Sequence, residues 1–257
     1  MVLFDSHAHY DDKRYDMDRD EILTGMPAMG VGYILNAASG IESAQKSVEL
    51  AHKYDYIYAA AGIHPHEAAR APEGFDAVLE GFFSDKKVVA VGEIGLDYHY
   101  DFSPRDVQKD VLTKQLALAV KVKKPIIIHD REAHRDILDL IKPCANVLNS
   151  GVFHLFSGSV EMAREVLDMG FYLSFGGAVT FKNARKPIEV ISYMPLDRLL
   201  LETDCPYMTP EPYRGKRNDS SYIILVAEKV ARIRNMTVTE IAEITANNAK
   251  RLFNISE

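Results

Sequence analysis

Five short apolar runs in this 257-residue chain end on side chains able to bind a cation. Leu199-Leu200-Leu201 leads into Glu202-Thr203-Asp204, Phe4-Asp5-Ser6 into His7-Ala8-His9, and Val88-Val89-Ala90-Val91-Gly92 into Glu93. Ile126-Ile127-Ile128 ends on His129, and Gly151-Val152-Phe153 on His154. Runs of this length read as buried strands. His7 and His9 are two apart, so on an extended segment both imidazoles face one side and can hold one ion. Glu93 closes a run expected inside the fold, where an unpaired carboxylate is costly, and its two oxygens can bridge two metals. His129 and His154 end successive strands and can take the second ion. Asp204, at the end of the last strand, can reach the ion held by His7 and His9 and accept the proton of an attacking water. The competing structural readings are a salt bridge from Glu93 to an Arg or Lys, and a helix N-cap role for Asp204. Four imidazoles favour Zn²⁺ or Mn²⁺ without excluding Mg²⁺.

Bringing five strand ends together requires a particular architecture. The pattern predicts strands over 2–5, 33–37, 57–63, 88–92, 125–128, 151–153, 171–175 and 199–202. Helices are predicted over 18–26, 41–54, 75–83, 106–123, 133–141, 160–169, 187–193, 222–234 and 239–253, with Ser103 as N-cap and Pro104 in the first turn of the fourth. Eight buried runs separated by helices match an α/β fold of the (β/α)8 TIM-barrel type, in which the carboxyl ends of the strands share one mouth. No Gly/Ser-rich or Pro-rich linker divides the chain, which predicts a single domain over 1–257. An open doubly wound sheet is the alternative, but no Gly-rich phosphate loop follows the first strand.

Hydrophobic residues make up 47% and charged residues 26% of the chain, an ordinary globular composition. Neither a basic leader followed by an apolar core nor a run of membrane-spanning length is present, and Cys144 and Cys205 are the only cysteines, too few to staple a chain this long. These features predict a cytoplasmic protein with free thiols, no membrane attachment and no obligate protein partner. A net charge of −7 argues against a surface that coats nucleic acid. It leaves a nucleic-acid enzyme open, since cations in a metal site invert the local sign.

The segments Phe4 to His9, Gly62-Ile63-His64-Pro65-His66, Gly92 to Tyr98, Ile128-His129-Asp130-Arg131, Phe153 to Gly158, Leu201 to Tyr207 and Arg214-Gly215-Lys216-Arg217-Asn218 resemble the motifs of the TatD family of metal-dependent deoxyribonucleases. The resemblance runs nearly end to end. It implies a (β/α)8 barrel with two divalent ions that hydrolyses DNA phosphodiesters, often as a 3′ to 5′ exonuclease acting on single strands or 3′ ends. By position, His7, His9, Glu93 and Asp204 would hold one ion, and Glu93, His129 and His154 the other. Arg131 and the lip Arg214 and Arg217 could grip phosphate oxygens, His64 either does so or only packs beside Pro65, and His66 and Lys216 are each either a contact or a solvated loop residue. Asp97 and Tyr98 read as structural support behind the ligands, and His99 as an exposed loop residue. Two departures stand out: Leu155 after the sixth-strand His, and Asp219-Ser220-Ser221 after Asn218.

Two other functions compete with the nuclease. The same ions and water could attack the carbonyl of an ester or amide, for example in an aminoacyl-tRNA. A catalytically silent metal-binding partner is the third reading, disfavoured because every expected ligand is present.

Overall fold

The structure is a computed structural model and describes residues 1–256. Its eight strands form one sheet in sequence order. They are β1 Leu3–Ala8, β2 Val31–Ala37, β3 Ile57–Ala61, β4 Val88–Asp97, β5 Ile126–Arg131, β6 Gly151–Phe153, β7 Tyr172–Phe175 and β8 Leu199–Leu201. Every neighbouring pair is parallel. The sheet closes where Ala8 bridges Cys205, with Asp204 N donating to the His7 carbonyl at 2.9 Å and His9 N to the Cys205 carbonyl at 2.8 Å. The fold is therefore a (β/α)8 barrel.

Among the described residues nine α-helices accompany the strands: α1 Arg19–Gly25, α2 Ile41–Lys53, α3 Phe75–Phe82, α4 Arg105–Val122, α5 His134–Ile141, α6 Val160–Asp168, α7 Arg185–Tyr193, α8 Ile223–Arg234 and α9 Val238–Phe253. Among the described residues none is long and apolar enough to cross a membrane. The Ser103 cap is corrected. Pro104 occupies the capping position of α4 with extended backbone, its carbonyl accepting from Gln108 N, while Ser103 Oγ accepts from Ala69 N and donates to the His66 carbonyl. By contrast α9 carries a complete capping box between Thr237 and Glu240.

Strand residues alternate between two apolar layers, as pleating requires. Leu3, Ile34, Val88, Ile126, Phe153, Leu173 and Leu199 pack outward among the helices. Phe4, Leu35, Ala60, Val89, Ile127, Val152, Tyr172 and Leu200 point into the barrel, where Ala246, Ala249, Leu252, Phe253 and Ile255 of α9 and the residues after it close the floor. Two positions further along, the same inward rows become Ser6, His129, His154, Ser174 and Glu202. The floor is apolar and the next layer is polar because each strand changes residue type at one level.

Candidate metal centre

β4 runs on to Asp97, so Glu93 lies within the strand rather than at its end. Between the pairs Val91–Ile126 and Ile94–Ile128, β4 advances three residues while β5 advances two. A similar irregularity in β1 lies between Asp5 and Ala8. Bulges re-aim side chains. Here they bring Glu93 inward, and let Ser6 reach Ser174 across the barrel while His7 reaches Glu93. Gly95 makes the neighbouring contact possible: a Cβ on it would lie 1.9 Å from the His129 carbonyl oxygen.

The side chains meet around Glu93, which is almost fully buried. Its Oε2 faces His7 Nε2 at 3.2 Å and His9 Nε2 at 3.7 Å, while its Oε1 faces His129 Nδ1 and His154 Nε2, each at 2.7 Å. Asp204 Oδ1 completes the first group, 3.3 Å from His9 Nε2 and 3.8 Å from His7 Nε2. Asp204 caps no helix; its backbone ties β8 to β1. His64, placed by resemblance among phosphate contacts, brings Nε2 to 3.4 Å from Glu93 Oε1 and shares a potential ligand cluster with Glu93 and His129.

The donor chemistry fits cations. His9 Nδ1 meets the Ala37 carbonyl at 2.8 Å, which assigns the proton to Nδ1 and leaves Nε2 free to ligate. His129 Nε2 meets Asp97 Oδ2 at 3.1 Å, so its Nδ1 lone pair points at Glu93. The facing nitrogens of His7 and His9 are 3.1 Å apart, and those of His129 and His154 3.2 Å. Two nitrogens on one ion at about 2.1 Å stand roughly 3.0–3.4 Å apart. Lone pairs this close to one another and to a carboxylate require protons or metal between them.

Charge follows the same division. Burial pushes His7 and His64 down to about 4, leaving neutral imidazoles. Burial also opposes charge on His9 and His129, but Asp204 raises the first to about 10, and Asp97 with Glu93 raises the second to about 9. Burial likewise opposes the charge on His154, but Glu93 raises it above the ordinary histidine value. Burial alone would raise Glu93 and Asp204, yet the surrounding histidines hold Glu93 well below, and His9 holds Asp204 below, the usual carboxylate range. A cation entering here must displace protons.

The other expected contacts divide. Arg131 Cζ lies 4.8 Å from the Tyr100 ring centroid and Arg214 Cζ 4.2 Å from that of Phe181, with no carboxylate partner for either among the described residues. Lys216 Nζ lies 5.2 Å from the Tyr213 ring centroid. Arg217 departs from the expected lip: its guanidinium is bidentate on Asp18, at 2.9 and 2.5 Å, and donates to the Arg14 carbonyl. His66 is not a free loop side chain either, since its Nε2 meets Asp97 Oδ2 at 2.8 Å. His99 is exposed, as expected, and pairs with Glu132.

Sequence reasoning gave Glu202 and Asp5 no role. Glu202 is buried, accepts from Leu155 N through Oε1, leaves Oε2 without a partner and is pushed up by burial to about 7. The inward row running from Leu200 was the signal that could have found it. Asp5 accepts from Thr203 N, Thr203 Oγ1 and Ser220 Oγ, lacing the ends of β1 and β8 to residue 220. The unfamiliar Asp219-Ser220-Ser221 is thus structural at Ser220, which is fully buried.

The model of the family described as TatD related DNase matches residues 4–254. The chain is 48% identical over 255 residues to an uncharacterized metal-dependent hydrolase, YabD, of Bacillus subtilis (strain 168), covering 99% of this chain and 100% of that one. It is 33% identical over 258 residues to the 3′-5′ ssDNA/RNA exonuclease TatD of Cronobacter sakazakii, covering 98% and 97%. Among solved structures, the TatD homolog YJJV from Escherichia coli K12 matches with a TM-score of 0.92 at 32% identity, covering 99% and 98%.

Proposed function

The chain belongs to the TatD related DNase family of metal-dependent hydrolases, and we propose that it acts as a single catalytic domain that cleaves phosphodiester bonds of DNA from the 3′ end of single strands. The observation that carries this reading is the division of Glu93, one oxygen facing His7 and His9 and the other facing His129 and His154. Two divalent ions fit that division, one with His7, His9, Glu93 and Asp204, the other with Glu93, His129 and His154, and with His64 near enough to join. Bound there, they would supply positive charge to the phosphate and acidify the attacking water.

The side chains contribute the rest. Asp204 is held ionised by His9 and retains some exposure at the lip (side chain 12%), so it can take the proton that leaves the attacking water. Asp97 fixes the His129 tautomer. Arg131 and Arg214, without a carboxylate partner among the described residues, bring charge-assisted donors to phosphate oxygens. Lys216, which is exposed, and His66, which is bonded to Asp97, are further candidate contacts, and Arg217 would have to leave Asp18 to take part.

The test is to chelate the protein, reconstitute it separately with Mg²⁺, Mn²⁺ and Zn²⁺, and assay 5′-labelled single-stranded DNA, duplex DNA and aminoacyl-tRNA side by side. The expected result is a ladder of 5′-labelled fragments shortened from the 3′ end, absent in Asp204→Asn. His129→Ala is expected to lose one equivalent of metal. Release of amino acid from tRNA with intact DNA would replace this reading with the ester-hydrolase alternative.

A further inference from the structure

The loop following β4 holds large aromatic side chains out in water beside the metal centre. Phe102 is 66% and Tyr100 46% exposed. Their rings stack on each other with centroids 5.2 Å apart and planes 22° from parallel. Leaving two such rings in water forfeits burial energy that a loop free to collapse would recover. This loop is held instead. Asp97 Oδ1 accepts from His99 N at 3.0 Å and Tyr100 N at 2.8 Å. Gln108 donates to the carbonyls of Asp97 and Ser103 while accepting from Asp97 N. Ser103 Oγ bridges to the 65–70 segment through Ala69 N and the His66 carbonyl.

The loop is also tied to the chemistry. The other oxygen of the same Asp97 carboxylate accepts from His66 Nε2 and His129 Nε2. The His66 ring centroid lies 4.8 Å from that of Phe102, 5.4 Å from Tyr100 and 6.1 Å from His129. One imidazole therefore separates the exposed aromatic pair from a candidate metal ligand. Arg131 adds a cation at the Tyr100 ring, free of any carboxylate among the described residues.

We propose that Tyr100 and Phe102 form a stacking platform for one unpaired nucleobase of a strand whose phosphate lies at the metal centre. The class of ligand follows from the surface. A flat, exposed π-face with a neighbouring guanidinium accepts any base without reading its edges, and paired bases inside a duplex cannot present a face to it. The platform rests on the nuclease reading for its place in the reaction, but base binding can be measured without turnover.

The experiment uses chelated, full-length protein and fluorescence anisotropy with two short single-stranded DNA probes, identical except that the nucleotides nearest the 3′ end carry bases in one and are abasic in the other. The wild type is expected to bind the base-bearing probe more tightly by roughly five- to a hundredfold, the range for one base–aromatic stack. Phe102→Ala and Tyr100→Ala are expected to erase most of that ratio, and Phe102→Trp to restore it, with thermal melts unchanged because both rings are exposed. Equal affinity of the wild type for the two probes, or a Phe102→Ala loss of the same size on both, would overturn the platform. Absence of cleavage with an intact probe ratio would instead overturn the nuclease reading and leave the platform standing.

Discussion

The two ends of the barrel are built from the same eight strands and differ in what those strands deliver. At the floor, Phe4, Ile127, Val152 and Leu200 meet the end of α9 in an apolar layer. Two residues further along, the rows deliver Ser6, His129, His154 and Glu202, and the buried groups there hold protons far from their ordinary affinities. The first layer is apolar packing and the second holds the candidate site, the division expected of parallel barrels. A cavity of about 990 Å³ opens at the floor and is lined by Lys86, Lys87, Lys123, Lys124, Arg198 and Arg251. Lys123 caps the end of α4, and Asn254, which caps α9, lines the same cavity. Cations placed there offset the partial negative charge of helix carboxyl ends, whereas among the described residues no set of metal ligands converges there.

The comparison can be broken most severely at Glu93. Glu93→Gln keeps the volume but removes the shared negative charge, so metal content by elemental analysis should fall and turnover should drop by at least about 10³, roughly 4 kcal/mol in the barrier. Retained stoichiometry would detach the mouth from its proposed chemistry. At the floor, Phe253→Ala opens a cavity against Phe4 and should cost about 3–5 kcal/mol by denaturant unfolding, with kcat unchanged while the protein stays folded. A change in kcat would show that the two ends are not independent.

Two subtler changes sharpen the comparison within the mouth. Asp97→Asn leaves every proposed ligand in place but weakens the hold on His129, and should lower metal affinity by about 10- to 100-fold. Titration calorimetry in buffers of different protonation enthalpy measures this directly. It should also show proton release on binding by the wild type, with affinity falling as pH falls, because His9 and His129 carry protons that the cation must displace.

The smallest effect concerns Glu202, whose carboxyl is raised from 4.5 to about 7 by burial. The folded protein holds that proton more tightly than the unfolded chain, so destabilisation develops as pH rises from 4.5 and is complete above about 7. Glu202→Gln should therefore stabilise the chelated protein by about 1–3 kcal/mol at pH 8 and by little at pH 4.5, read as the difference in melting behaviour between the two pH values. Equal effects at both pH values would mean the carboxyl is not the source.

Much of the barrel and of the candidate site was legible from local pattern. Strands five, six and eight are short apolar runs whose pleat repeats every two residues, so the end of each run fixes which side chain faces inward, as at His129 and His154. His7 and His9 were legible as a pair from their spacing, but His7 faces Glu93 only through the irregularity between Asp5 and Ala8. Glu93 was legible as a type but not as a position, because the irregularity that turns it inward depends on how β4 registers against β5. The Ser103 cap failed because a bond to the 65–70 segment outweighs a local one. The partner of Arg217, 199 residues away at Asp18, left no trace in local composition.

The sequence by itself determined the inward rows and the residue types at their ends, because backbone pleating converts spacing into facing without reference to the rest of the molecule. Tertiary structure alone decided that His64 joins the centre, that one Asp97 carboxylate serves both a ligand and a loop, and that Asp5 binds Thr203 and Ser220 across separations of 198 and 215 residues. Those contacts exist only once the first and last strands have met, and no local preference encodes which distant group arrives there.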